Sequence, residues 1–234
     1  MGDVGAAFAH AGVLLASGDR ALLAIVALSL KVSLVAVFIA TLIGAPLGAA
    51  IAITRFPGRQ GAVVALNAFM GLPPVLVGLL VYLLLSRAGP LGPLGLLFTP
   101  TAMIVAQTIL VVPIVAALSR QLVEDAWVEY REQLVSLGAG PVQAIGTFLW
   151  DTRYSLVTVV LAGFGRAAAE VGAVMIVGGN IAGVTRVMTT AIALETSKGD
   201  LPLALALGIV LLALVLALNG IAHGIRLFAA RRHG

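Results

Sequence analysis

Cysteine is absent from the 234 residues, so the chain has no disulfide framework and no thiolate metal site, and its redox compartment leaves no mark. Charge is scarce: Asp, Glu, Lys and Arg make up 10% of the chain, against roughly 25% in an ordinary soluble domain. Lysine occurs only as Lys31, followed by Val32, and Lys198, followed by Gly199. A phosphate-binding loop needs Gly-Lys-Ser/Thr, so that device for holding ATP is missing. No nucleophile elbow and no zinc pattern occurs. His10, His223 and His233 are scattered and do not make a metal site. The formal charge of +4 is no nucleic-acid signal, because the basic residues lie at the edges of apolar runs instead of forming a patch. The N-terminus carries Asp3 and no basic run, unlike a cleaved signal peptide.

What the chain has in abundance is apolar residues, 61% of the total, which makes it an integral membrane protein of all-α class. After a loose lead-in over residues 1–20, five spans are expected, at about 21–53, 62–85, 101–118, 156–177 and 201–227, in a single transmembrane domain. The first would reach about 50 Å at 1.5 Å per residue, more than a bilayer core of about 30 Å, so it must tilt, kink near Gly44-Ala45-Pro46 or leave the lipid. Lys31 inside it can snorkel to the interface. Pro73-Pro74 breaks the second span, either as an ordinary kink or as part of a pore lining. No internal repeat is visible, which gives an inverted-repeat secondary transporter no support.

Lys and Arg set the orientation. Arg55, Arg59, Arg120, Arg131, Arg153, Arg226, Arg231 and Arg232 fall on one side of the spans; Arg20, Arg87, Arg186 and Lys198 fall on the other; Lys31 and Arg166 lie within spans. The richer side is cytoplasmic, so the N-terminus is expected outside and the C-terminus inside.

Between the third and fourth spans, residues 119–153 form the longest stretch not dominated by apolar residues. Trp127, Tyr130, Leu134 and Leu137 recur at helical spacing, with Glu124, Glu129, Arg131, Glu132 and Gln133 elsewhere. Gly138 supplies a left-handed helix stop and Gly140-Pro141 a restart. A helix, a sharp turn and a short helix should therefore project into the cytoplasm. Glu132-Gln133-Leu134, three residues, then Gly138 resembles the EAA loop of permease subunits of bacterial ABC importers, which docks into a groove on the cytoplasmic ATPase. The chain departs from that pattern at Gln133 and Leu134, where small residues are usual, and at Phe148-Leu149-Trp150-Asp151, which lacks the closing proline.

The second informative stretch is 164–195. Arg166 and Glu170 are four apart and should share a helix face. A lone charge at membrane depth costs about 2.5–3.5 kcal/mol on insertion scales, so the two should pair or face water, as a structural ion pair or at a gate. Gly178-Gly179-Asn180 ends the helix; its amides are either a plain cap or donors to an oxyanion. Thr185, Arg186, Thr189 and Thr190 make a polar, cationic outer segment. Arg166, Glu170 with Gly172, then Gly179-Asn180-Ile181 resembles the permeases for molybdate, sulfate and tungstate. Thr185-Arg186-Val187-Met188-Thr189-Thr190-Ala191-Ile192 with Glu195-Thr196 is nearest to the tungstate branch, and Leu72-Pro73-Pro74-Val75 and Phe56-Pro57-Gly58-Arg59 are similar to the same group.

That resemblance implies a type I ABC importer permease fold in the bacterial inner membrane. It implies three partners: a cytoplasmic ABC ATPase dimer, a second permease copy, and a periplasmic or lipoprotein oxyanion-binding protein. ATP and Mg would belong to the ATPase, with no cofactor in this chain. Glu132, Gly138 and Pro141 would shape the coupling segment, and Trp127, Tyr130 and Leu137 would pack it. Arg166 and Glu170 would stabilise the core or gate the pathway; Asn180, Thr185 and Arg186 would lie at the outer mouth or touch the binding protein. Since the chain stops soon after Arg231-Arg232, no appended regulatory domain is expected. The alternatives are a molybdate or sulfate permease, a self-contained secondary transporter or channel, and a membrane scaffold without transport.

Overall fold

The structure is a computed structural model describing residues 5, 8, 9, 12, 13, 16–136, 138 and 140–233, with side chains placed for these except at 135, 222, 223 and 225–233. The described residues are helical or irregular, with no β-strand. The helices are α1 (Arg20–Ile53), α2 (Arg59–Phe69), α3 (Pro74–Leu85), α4 (Pro100–Ser136), α5 (Pro141–Asp151), α6 (Arg153–Ala168), α7 (Gly172–Gly178), α8 (Met188–Lys198) and α9 (Leu201–His233), with a short 3-10 turn at Gly92–Leu94.

Three of these are long and apolar enough to cross a membrane: α1, α4 up to Leu134, and α9 up to Ile221. The other two expected spans are bent pairs. α2 and α3 meet at 98°, and α6 and α7 at 59°, so the count reaches five if each pair is one span. Pro73 and Pro74 explain the first break, since Pro74 begins α3 and neither ring nitrogen can donate to the preceding turn. Pro46 lies inside α1 and Pro113 inside α4 without ending either helix. α4 also runs on through the polar residues after 118 to Ser136, a single helix of 37 residues where the sequence suggested a span and a separate loop helix. No glycine or proline falls between Pro113 and Ser136 to stop it.

Along α1 the usual order of a soluble helix is inverted. Ala36, Ala40 and Ala49 are buried, while Phe38, Leu42 and Leu47 are exposed. Large apolar side chains tolerate that exposure in lipid, and small ones let helices approach closely. Lys31 is exposed on the same helix.

The chain folds as two compact units. One comprises the described residues of Met1–Val35, Pro73–Gln107 and Ala168–Ala217. Its core joins Leu22 of α1, Met188 and Ala191 of α8, and Leu207 of α9. Ser29 Oγ accepts the Met188 N–H at 2.7 Å, tying α1 to the start of α8. The Phe98 N–H donates to Val177 O at 3.0 Å, and the Phe98 ring meets Tyr82 edge-on at 6.2 Å, fastening the loop before α4 to α3 and α7.

The other unit comprises the described residues of Ala36–Leu72, Thr108–Ala167 and Leu218–Gly234. Here α1 lies directly on α4. A Cβ added at Gly44 would stand 2.9 Å from Val112 O, and one added at Gly48 would collide with Ala116 O. The Gly-x3-Gly spacing thus brings two backbones together where any side chain would hold them apart. A second cluster joins Ala49, Ala52 and Ile53 of α1 to Val123 of α4 and to Ala144 and Phe148 of α5.

Candidate functional site

The 119–153 segment folds as helix, turn and helix. α4 ends at Ser136; Gly138 takes φ 73°, the left-handed conformation open to glycine; Pro141 begins α5. The Gly140 N–H donates to Gln143 Oε1 at 3.0 Å, satisfying one of the donors left open at the start of α5. The two helices are held by Trp127 and Phe148, whose rings meet edge to face at 5.7 Å. Leu134 packs on the same cluster. Tyr130 does not join it and is 38% exposed. A hydrogen bond to the neighbouring Glu129 carboxylate, reinforced by that carboxylate's charge, raises the Tyr130 pKa above its usual value. Leu137 lies outside the described residues. Glu132 and Gly138 are exposed, so the corner of the hairpin is open to a partner.

A clamp at the base of this hairpin was not legible in the sequence. Arg59 Nε donates to Ile51 O at 2.8 Å and Nη2 to Ala52 O at 3.3 Å, covering carbonyls that α1 leaves open at its end. Nη2 also reaches Glu124 Oε1 at 2.8 Å, and Glu124 Oε2 takes Arg120 of the same helix. The Arg120-x3-Glu124 spacing was a visible signal. The link to Arg59 had none, because it spans 65 residues.

In the other segment, α6 stops at Ala168, so Arg166 and Glu170 do not share one helix face as their spacing suggested. The reason is local. Glu170 is buried, and its Oε1 accepts the Ala173 N–H at 3.0 Å, capping the start of α7. A carboxylate at that end also meets the positive pole of the helix. The Glu170 carbonyl in turn accepts from Thr189 Oγ1 at 2.7 Å. α7 ends as expected, with Gly179 at φ 71° and Asn180 at φ 51°.

Thr185 is fully buried. Its hydroxyl donates to Gly178 O at 2.6 Å and accepts the Ile181 N–H at 3.0 Å, closing the 178–185 loop from within. It is therefore an internal strut and not a surface contact. Asn180 Nδ2 donates to Thr190 O at 3.3 Å, holding the same loop to α8. Arg186 is half-buried and follows directly. Ile181 and Val184, which no sequence motif singled out as a pair, are the large apolar side chains exposed on this loop. Among the described residues no group of three or more His, Cys, Asp or Glu could hold a metal ion.

With three helices long and apolar enough to cross a membrane, and five if each bent pair is one span, the described chain has the make-up of a multi-pass membrane protein. No family model matches it. Over 218 residues it is 40% identical to a "Probable anion ABC transporter permease protein" of Haloferax volcanii, covering 91% of this chain and 94% of that protein. It is 43% identical over 219 residues to the "Tungstate uptake system permease protein TupB" of Peptoclostridium acidaminophilum, covering 94% and 96% respectively. The protein of the same name in Campylobacter jejuni is 43% identical over 157 residues, 67% of this chain and 66% of that one. Relatives at 30% identity carry sulfate and molybdenum permease names. The chain belongs to the oxyanion ABC transporter permeases of the molybdate, sulfate and tungstate type.

Proposed function

We propose that this chain is the permease subunit of an ATP-driven tungstate importer in the bacterial inner membrane. The observation that carries the reading is the 43% identity, over 94% of the chain, to a protein named as a tungstate uptake permease. The exposed corner at Glu132 and Gly138 supports a cytoplasmic docking site for an ATPase, and the excess of Arg on that side supports an outside N-terminus and an inside C-terminus. Two copies would form the pathway, with an ATPase subunit on each hairpin and an oxyanion-binding protein on the outer face.

The mechanism follows from rigidity. α5 is packed through Ala144 and Phe148 onto the ends of α1 and α4, so a push on the hairpin moves those helix ends with it. ATP and Mg, bound on the partner, supply the push. Arg166 and Glu170 stand at the break between α6 and α7, where a helix is already interrupted and a gate is least costly to move. Asn180 and Arg186 are the polar side chains offered near the 178–185 loop, with Thr185 setting that loop's shape. Helix ends make a weak anion site, which suits release better than a tight one.

Uptake of labelled tungstate by cells carrying this chain with its ATPase and binding protein tests the reading. Glu132→Lys should abolish uptake at unchanged expression and remove copurification of the ATPase. Uptake of molybdate or sulfate in preference to tungstate would move the chain to another branch. Gradient-driven flux through the purified chain alone would end the importer reading.

A further inference from the structure

Trp150 is 72% exposed, whereas Phe148, two residues earlier on α5, is 2% exposed. An indole so exposed is unusual, and this one is not loose. The Arg153 guanidinium stacks over the Trp150 ring at 4.8 Å and over the Tyr154 ring at 4.5 Å, and Arg153 Nη1 donates to Trp150 O at 2.7 Å. Two rings and a cation are thus held as one preformed patch.

Such a patch suits lipid headgroups, and Trp, Tyr and Arg also dominate protein–protein contacts. The position in the chain decides between the two occupants. Trp150 closes the polar hairpin, and Arg153 opens α6, the first helix of a bent pair apolar and long enough to cross a membrane. The patch therefore sits where the polar hairpin passes into a candidate membrane-spanning pair, the level at which a span meets the membrane–water interface. Amphipathic rings prefer that layer, and arginine reaches phosphate there with several donors.

We propose that Trp150, Arg153 and Tyr154 form an interfacial anchor that seats the end of the hairpin in the phospholipid headgroup layer, with Arg153 toward the lipid phosphate. The hairpin is then pinned at one end by lipid while its corner at Gly138 stays free. The inference rests on the chain crossing a membrane and not on what it transports, so it survives if the tungstate reading fails.

The chain has two tryptophans, which makes the test direct. The full-length protein is placed in nanodiscs of phosphatidylcholine and phosphatidylglycerol. Trp150 emission is read from a Trp127→Phe variant, and independently as wild type minus Trp150→Phe, so that one misfolded variant does not end the experiment. Lipids brominated near the headgroup end of the acyl chain should quench more than half of the Trp150 emission, and aqueous iodide far less. Adding the ATPase should leave both values unchanged. Strong iodide quenching with little effect of bromolipid would overturn the proposal, since the ring would then face water. Displacement of the bromolipid effect by the ATPase would equally overturn it, making the patch a protein-docking surface.

Discussion

Arg59 and Glu124, 65 residues apart, meet at 2.8 Å, and the same guanidinium covers the last carbonyls of α1. The two jobs differ in weight. The ion pair is about one-third exposed on each side, which limits it to roughly 0.5–1 kcal/mol. The carbonyl bonds are charge-assisted and come at about 1–3 kcal/mol. Glu124→Gln should therefore lower the melting temperature slightly, and less so at high salt, whereas Arg59→Ala should lower it clearly at any salt. Equal losses in the two variants would contradict the division.

Phe148 should be the costliest single side chain in the hairpin. It is 2% exposed and carries the edge-to-face contact with Trp127. Phe148→Ala should destabilise by about 3–5 kcal/mol. Trp150→Phe, on the exposed face of the same helix, should leave thermal stability in detergent nearly unchanged. Melting of the purified variants separates the two.

Gly138 and Gly146 should respond to alanine with opposite signs. Gly138 has φ 73°, where an added Cβ costs about 1 kcal/mol or more. Gly146 lies within α5 with open space where a methyl group would stand, so Gly146→Ala should gain about 0.5–1 kcal/mol of helix propensity. Hydrogen exchange of the hairpin amides checks both, with faster exchange expected in the first variant and slower in the second.

Close approach of α1 and α4 predicts a harsher result at Gly48. A Cβ there meets Ala116 O, a backbone atom that cannot rotate away. Gly48→Leu should abolish recovery of folded protein, measured by size-exclusion after extraction. Gly208→Ala, where nothing stands within 4 Å, is the tolerated control.

Removing the Thr185 hydroxyl strands two backbone partners, the buried Gly178 O and the part-buried Ile181 N–H. Thr185→Val should cost about 1–3 kcal/mol and reduce uptake through loss of loop shape. Thr185→Ser should restore both melting temperature and uptake. Loss of uptake in Thr185→Ser at full stability would point to a contact made by the methyl group instead.

The sequence by itself determined the features whose causes are local. A run of apolar residues needs only its own length to demand lipid, Gly138 and Pro141 need only their own backbone preferences to turn the hairpin, and Gly179 needs only its missing Cβ to end α7. Tertiary structure alone decided the rest. Glu170 lies past the end of α6 and caps α7, because a helix start offered its carboxylate an N–H. Thr185 moved inside because two backbone groups needed its hydroxyl. Tyr130 stayed at the surface although Trp127 and Leu134 turned in. Arg59 found Glu124 only once α1 had been laid on α4. In each case the deciding partner is supplied by the fold, and a pattern read along one segment has no access to it.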